Sequence, residues 1–572
     1  MRLSIPFLMF FWVTFCKAQH LPAGWTPSEW SIKKNYFEQL PGQYSLSQFP
    51  PNSPVRTMAE WEEVQGYLIA WTSYPSMLRE IVRYGKEECR MYVLTSNPSA
   101  VLSDLNTNGI DTTNVTLLNI PFNSVWSRDY GHWCTYKNNV DSLYFVDWIY
   151  NRPRPKDDTV PKGLAQHLQV PLYQMTGGDY GLVNTGGNFM TDGLGTAFAS
   201  NLVLEENAAG GGFNQNHTET DINQMMQSFM GITPYIKMNT LPYDGIHHID
   251  MHMKLLDEET LLVGEYPAGV ADGPAIEANL QYVLSNFTTP YGKPYRVIRI
   301  PMPADNGAYP NTTGRYLTYT NASFINKTII VPIYGIAADQ QALDIWRAAC
   351  PGYRVVGILS TSSIGASGAL HCITKEIGVQ DPIWITHERL EDTYETVQPY
   401  AVKARIEHRL GISSASLFYK TDSLGAYTSL PMTAGMNNEW MADIPAQPAG
   451  TTLFYYIQAT ANGGKTQQRP ISAPDGFYRF QVLNAVHIQE DFSSEFSVYP
   501  NPSKGIVCIE SNKTGSAFRV VIRDAFGKKL MEESQRANGK IFLNTSSWVS
   551  GCYFAELTDS YGNRRVVKHM VR

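Results

Sequence analysis

A thiol and an imidazole stand side by side at Cys372 and His371, in the glycine-rich stretch GASGALHCIT (365–374). A cysteine attacks carbon as its thiolate, so a nucleophilic Cys372 needs a base or a cation beside it. His371 is the nearest base in sequence. Read as extended chain, however, neighbouring side chains point to opposite faces. If Cys372 is a nucleophile rather than a buried thiol, its partner lies elsewhere, and His371 is left without a chemical role. GIHHIDMHMK (245–254) offers a partner: His248 and Asp250 are two residues apart, and on a strand they share a face. WSRDYGHW (126–133) sets Arg128 and Asp129 among aromatics, NTGGNFMTDG (184–193) is a Gly/Asn turn cluster, and YTNASF (319–324) puts Asn321 just ahead of a strand. In YNRPRPKDD (150–158), prolines force an extended backbone, so Arg152 and Arg154 can face one way as a clamp for a carboxylate. The same residues also read as an exposed basic loop balanced by Asp157 and Asp158.

Asp129, Asn188, His248, Asn321 and Cys372 recur at intervals of about 60 residues, each with strand and helix signals between. Such repetition suggests units round an axis, with equivalent loops meeting at one end. The elements that would do the positioning are legible. GYLIAWTS (66–73), RMYVLTS (90–96), KTIIVPIYG (327–335) and YRVVGIL (353–359) are expected strands. Leu78, Ile81 and Val82 share one helical stripe; so do Ile276, Leu280, Val283 and Phe287, and again Leu343, Trp346 and Cys350. Residues up to about 390 are therefore α/β. From about 395 the helical signal vanishes, and alternating segments such as SASLFYKTD and TTLFYYIQATANGG predict a small immunoglobulin-like β-sandwich.

The chain has 572 residues, 43% apolar and 17% charged, which reads as globular and multidomain. A net charge of −7 gives no electrostatic footprint for nucleic acid. The start, MRLSIPFLMFFWVTFCKA, reads as a secretory signal cut before Gln19, and no other segment is apolar enough to predict a membrane span. Seven cysteines are too few for a disulfide scaffold, and no CxxC pair suggests zinc. Cys89 and Cys134 stay open as disulfide partners; Cys350 reads as a buried small hydrophobe.

After a polar link, the last residues form another short all-β module. Tyr499-Pro-Asn-Pro502, Asp524-Ala-Phe-Gly527, Ser550-Gly-Cys-Tyr-Phe554 and Lys568 resemble the C-terminal sorting domain of type IX secretion cargo. That resemblance implies a partner, the type IX secretion machinery, and a protein released from or attached to a bacterial outer surface.

Over roughly residues 45–390, the motifs W-x-R-D-Y, G-G-N, H-x-D, Y-x-N and L-H-C-I-T, in that order, resemble the guanidino-group-modifying superfamily. The closest likeness is to secreted bacterial peptidylarginine deiminases, with agmatine deiminases as the less close relatives. The resemblance implies an α/β propeller of five ββαβ-type units. It implies domains at 1–18 (signal), 19–394 (catalytic propeller), 395–488 (immunoglobulin-like) and 489–572 (sorting). It makes Cys372 the nucleophile toward a guanidinium carbon, and His248 the general acid and then base. Asp129 and Asp250 would grip guanidinium nitrogens, with Asn321 hydrogen-bonding near the substrate or Cys372. Carboxylates suit a planar cation with five N–H donors. Trp126 would stack on the guanidinium or its stem, or else pack in the core. Arg152 and Arg154 would bind the terminal carboxylate of a peptide ending in arginine. No metal or organic cofactor is needed for this chemistry. Three departures stand out. Gly245 replaces a tyrosine three residues before the catalytic histidine of the peptidylarginine enzymes. Ile373 follows the cysteine as in agmatine deiminases. Thr185 stands where agmatine deiminases carry an acid. The first two bear on the substrate and the third counts against agmatine; agmatine or free arginine is the alternative substrate.

Overall fold

The computed structural model describes residues 20–40, 49–267, 269, 272–304, 316–484, 496–511, 518–525, 527–535, 540–559 and 564–572. The expected signal segment and the polar link lie outside these residues. The chain divides into two compact units, one ending at Asn484 and one spanning Ala485–Arg572.

The first unit contains five small sheets of mixed pairing followed by two antiparallel ones. The five share a local logic. Thr260–Glu265 pairs antiparallel with Met253–Asp257 and then parallel with Arg296–Pro301. The return is made by the helix Gly273–Asn286, which buries Ile276, Leu280 and Val283. Thr328–Ile333 repeats this with Ser323–Ile325 and Arg354–Leu359 through the helix Ala338–Ala349, whose Trp346 is fully buried. A parallel pair needs such a crossover, so the alternation of strand and helix signals dictates the sheets. Pro75–Gly85 does the same work between Val64–Ala70 and Arg90–Leu94, with proline in its first turn and Met77, Leu78, Ile81 and Val82 turned inward. Lys375–Gly378, late in this region, pairs antiparallel with Val64–Ala70 near its beginning. The two ends of the α/β region are thereby stitched together, next to Cys372.

The two antiparallel sheets that follow face each other across Val402, Leu417, Tyr455 and Ile457. Their first strand, Trp384–Thr386, pairs with Tyr400–Glu407, so the all-β layer begins ahead of residue 395. This layer is fastened to the α/β region by one buried and two half-buried ion pairs. Arg469 meets Glu258 at 2.6 Å, and Arg389 meets both Asp257 and Glu259. Gly352 abuts the backbone of Asp475 and Gly476 so closely that a Cβ would lie 1.9 Å from the Gly476 nitrogen.

The second unit, on its own, holds a three-stranded and a four-stranded antiparallel sheet around Val507, Ile509, Val520, Ile522 and Leu557. Among the described residues no helix is long and apolar enough to cross a membrane. The open question of a Cys89–Cys134 disulfide is answered: both are buried and unpaired. Both pack in the same hydrophobic cluster, and Cys134 Sγ also accepts the Gly378 N–H at 3.3 Å.

Candidate functional site

The residues nominated from far-apart motifs converge. Asp129 sits on the short helix Ser127–Tyr130, and its Oδ1 accepts the Gly187 N–H at 3.3 Å. His248 Nδ1 lies 3.6 Å from that same oxygen. Asp250 Oδ2 is 3.8 Å from Cys372 Sγ, and Asn321 Nδ2 donates to that sulfur at 3.3 Å. All five side chains are buried. Asn321 also works through its carbonyl oxygen, which accepts the backbone N–H groups of Ala369 at 3.2 Å and His371 at 3.1 Å. One amide thus pins the cysteine turn and contacts its sulfur. Asn188 is not part of this contact set; it exchanges hydrogen bonds with Ser200.

Two local geometries differ from the sequence reading. His248 and Asp250 are brought together by a 3-10 turn over Ile249–Met251 rather than by a strand. Cys372 likewise lies in a 3-10 turn, His371–Ile373, so its neighbour is not thrown to the opposite face. His371 therefore has a role in the site that extended geometry would have denied it. Its Nδ1 is 2.7 Å from Asp250 Oδ2, and its Nε2 is 3.0 Å from Glu60 Oε2. Carboxyl oxygens thus face both ring nitrogens. Glu60 is held in turn by Lys254 at 2.7 Å. Arg128 ties the arrangement down: its Nε donates to the His371 carbonyl at 3.3 Å and it pairs with Glu376 at 2.7 Å. Glu60 lies in no motif, so nothing in the sequence marks it. The run of small residues before His371 was the one signal for a turn.

Glycines let these groups approach. A Cβ on Gly187 would sit 2.4 Å from His248 Nδ1 and 3.1 Å from Asp129 Oδ1. A Cβ on Gly368 would sit 2.4 Å from Trp126 Cζ3 and 3.1 Å from Cys372 Sγ. The positive φ of the cysteine loop falls on Ser367, at 66°.

The electrostatics are those of a resting site awaiting a cation. Burial, helped by the charge of Asp250, pushes Asp129 up to about 7. Burial drives His248 down to about 3, so the contact with Asp129 is a neutral ring beside a carboxyl group rather than an ion pair. Burial and then the charges of Asp250 and Asp129 hold the Cys372 thiol well above its usual range. Asp250 goes the other way: burial alone would raise it, but the hydrogen bond and charge of His371 hold it low. Asp250 Oδ1 and both nitrogens of His248 have no hydrogen-bond partner among the described residues. Buried polar atoms of this kind call for a ligand.

The arginine pair is neither exposed nor free. Arg152 and Arg154 are buried, and Asp157 and Asp158 accept backbone N–H bonds from Asn123, Ser124 and Tyr150 instead of balancing a surface loop. Arg154 Nε pairs with Glu29 at 2.7 Å, so its guanidinium is already engaged and the two-cation clamp is not open in this structure. Trp126 packs in the core beside the cysteine turn, edge-on to Tyr74, and its indole N–H donates to the Leu21 carbonyl.

Two stretches of the chain match families of known proteins. Residues 56–377 match the family model described as Porphyromonas-type peptidyl-arginine deiminase, and residues 497–571 match that of the secretion system C-terminal sorting domain. A putative agmatine deiminase of Yersinia pseudotuberculosis is 26% identical over 302 residues, spanning 46% of this chain and 77% of that protein. A solved putative agmatine deiminase superposes with a TM-score of 0.51 at 19% identity, covering 59% of this chain and all of its own; it shares the fold. A solved putative arginine deiminase from Porphyromonas gingivalis gives a TM-score of 0.49 at 20% identity, covering 56% of this chain and 98% of its own.

Proposed function

Because the chain belongs to the Porphyromonas-type peptidyl-arginine deiminase family, we propose that it is an exported enzyme hydrolysing peptidyl-arginine to peptidyl-citrulline and ammonia. The observation that carries this reading is the buried meeting of Cys372, Asn321, Asp250, Asp129 and His248, with polar atoms of His248 and Asp250 that have no hydrogen-bond partner among the described residues. A planar cation between Asp129 and Asp250 would satisfy both carboxylates. Its charge would also lower the Cys372 and Asp129 proton affinities together, so substrate entry would arm the site. Neutral His248 would take the thiol proton. The thiolate would add to the guanidinium carbon, forming the C–S bond. His248 would return the proton to the departing nitrogen as the C–N bond breaks, releasing ammonia and leaving a thiouronium adduct. Water, deprotonated by His248, would then add to the same carbon, and the C–S bond would break to give the ureido product. The chemistry asks for no metal or organic cofactor.

The five sheets are read as blades of a closed α/β propeller, supported by their shared pairing pattern and by the stitching of Lys375–Gly378 to Val64–Ala70. The facing antiparallel sheets are read as an immunoglobulin-like sandwich. The sorting domain supports delivery through the type IX route to the outer surface.

Ammonia release from a peptide ending in arginine, the same peptide with internal arginine, free arginine and agmatine tests the substrate. Preference for C-terminal arginine is expected, with Arg152 as the carboxylate ligand. Turnover of agmatine alone would overturn the peptide reading. That second reading has one observation in its favour, the engagement of Arg154 by Glu29.

A further inference from the structure

Trp126, Arg152 and Arg154, the side chains nominated for substrate, all donate hydrogen bonds to one short stretch of the chain itself. Trp126 Nε1 donates to the Leu21 carbonyl at 2.8 Å, and Arg154 donates to Pro22 at 2.8 Å and to Gly24 at 3.2 Å. Arg152 Nε donates to Ala23 at 3.0 Å. In return the Ala23 N–H donates to the carbonyl of Ala366, on the loop that carries Cys372, at 3.0 Å. Four consecutive main-chain carbonyls and one N–H are therefore read, and no polar side chain between Leu21 and Gly24 takes part. The guanidinium of Arg152 lies 5.0 Å from the ring of Trp25, which covers its remaining face. Ala23 is 1% exposed and belongs to the same buried cluster as Trp126 and Cys372.

We infer that Trp126, Arg152, Arg154 and the Ala366 carbonyl form a groove that reads the main chain of an extended peptide, and that residues 21–24 occupy it as an internal ligand. The occupant is anchored at both ends. On one side His20 bonds Ser73 at 2.7 Å. On the other, Glu29 closes the capping box of the helix Pro27–Gln39 with Thr26 while gripping Arg154. Glu29 thereby places a carboxylate on Arg154, two residues from Arg152, to which the proposed function gives the terminal carboxylate of a peptide. The partner this groove fits is any extended peptide with an arginine to present to Cys372, since recognition of carbonyls ignores side-chain identity. Such a peptide must displace residues 21–24 first, and its apparent affinity falls by the fraction of molecules in which the groove is open. The inference rests on the peptidyl-arginine reading for its substrate, but the groove itself can be tested without turnover.

Two full-length variants loosen the internal ligand while leaving every groove residue in place: Ala23→Pro, which removes the N–H given to Ala366, and Glu29→Gln, which weakens the hold on Arg154. Retention of the fold is read from circular dichroism and Tm, and the two variants are independent of each other. KM for a peptide ending in arginine should fall by about threefold or more with kcat unchanged, while KM for agmatine, which has no main chain, should stay put. A fluorescent peptide with the sequence of residues 20–30 should bind the loosened variants more tightly than the wild type, and should compete with the arginine peptide. Unchanged or raised KM for the peptide, an equal fall for agmatine, or no gain in binding of the fluorescent peptide would overturn the groove. Tighter binding of that peptide together with no turnover of any arginine compound would retain the groove and sink the proposed reaction instead.

Discussion

At the scale of single residues, the site is a balance of proton affinities set by burial. Asp129 is the sharpest case. Its carboxyl is raised from an ordinary 3.8 to about 7, so the folded protein holds a proton that the unfolded chain releases. Stability from this group is therefore full below pH 4 and is lost as pH rises toward and through 7. Asp129→Asn should raise Tm by a few degrees at pH 8 and have no such effect below pH 4, as thermal melts in the two buffers would show. In the proposed reaction the same ionisation is needed to hold a guanidinium, so kcat/KM of the wild type should climb through about pH 7, the free-enzyme value. His371 belongs to this scale as a positioning residue. It is the only described link between Asp250 and Glu60 that spans both by hydrogen bonds. His371→Ala should lower kcat by about a hundredfold, since small misplacements of a gripping carboxylate have effects of that order. His371→Gln, which keeps one donor for Asp250, should recover part of the loss, and stopped ammonia assays would separate the two. Full activity in His371→Ala would return the residue to the idle status that its place in the sequence suggested.

Among the elements, short turns rather than long helices carry the precision. The helix stripes at Leu78, Ile276 and Trp346, the strand runs, and the order of the five motifs were all legible because burial patterns repeat with the period of their element. What the sequence did not reveal were the 3-10 turns at Ile249–Met251 and His371–Ile373. A turn of three residues has no period to detect, and reading it as strand reverses where a side chain points. That is how Asp250 could be put beside His248 for the wrong geometric reason while His371 was dismissed. Glu60 was out of reach altogether, because its meaning comes only from Lys254 and His371. The glycines at the turns give the corresponding prediction. Gly187→Ala puts a methyl 2.4 Å from His248 Nδ1, so the ring must move. Activity should drop by at least about tenfold while circular dichroism stays native. Gly245→Ala has nothing within 4 Å and serves as the matched neutral control.

For the first unit as a whole, the α/β region and the antiparallel sheets form one compact unit, joined by charged contacts of which the best covered is Arg469–Glu258. Arg469 and Glu258 are almost completely covered at 2.6 Å. Removing one member strands the other, which typically costs about 3–5 kcal/mol. Arg469→Ala should therefore lower Tm by several degrees, and Arg469→Ala with Glu258→Gln should restore part of it; equal melting of the wild type and Arg469→Ala would show the contact to be idle. Across both units, none of the described cysteines is paired. The consequence for the molecule is chemical durability outside the cell. Peroxide oxidises thiolate, not thiol, and the resting Cys372 is held as thiol by burial and two neighbouring carboxylates. A site that becomes nucleophilic only when its cation arrives is also a site that becomes oxidisable only then. Hydrogen peroxide should inactivate the enzyme slowly when idle and several times faster while it is turning over, so the protein ages with use rather than with exposure.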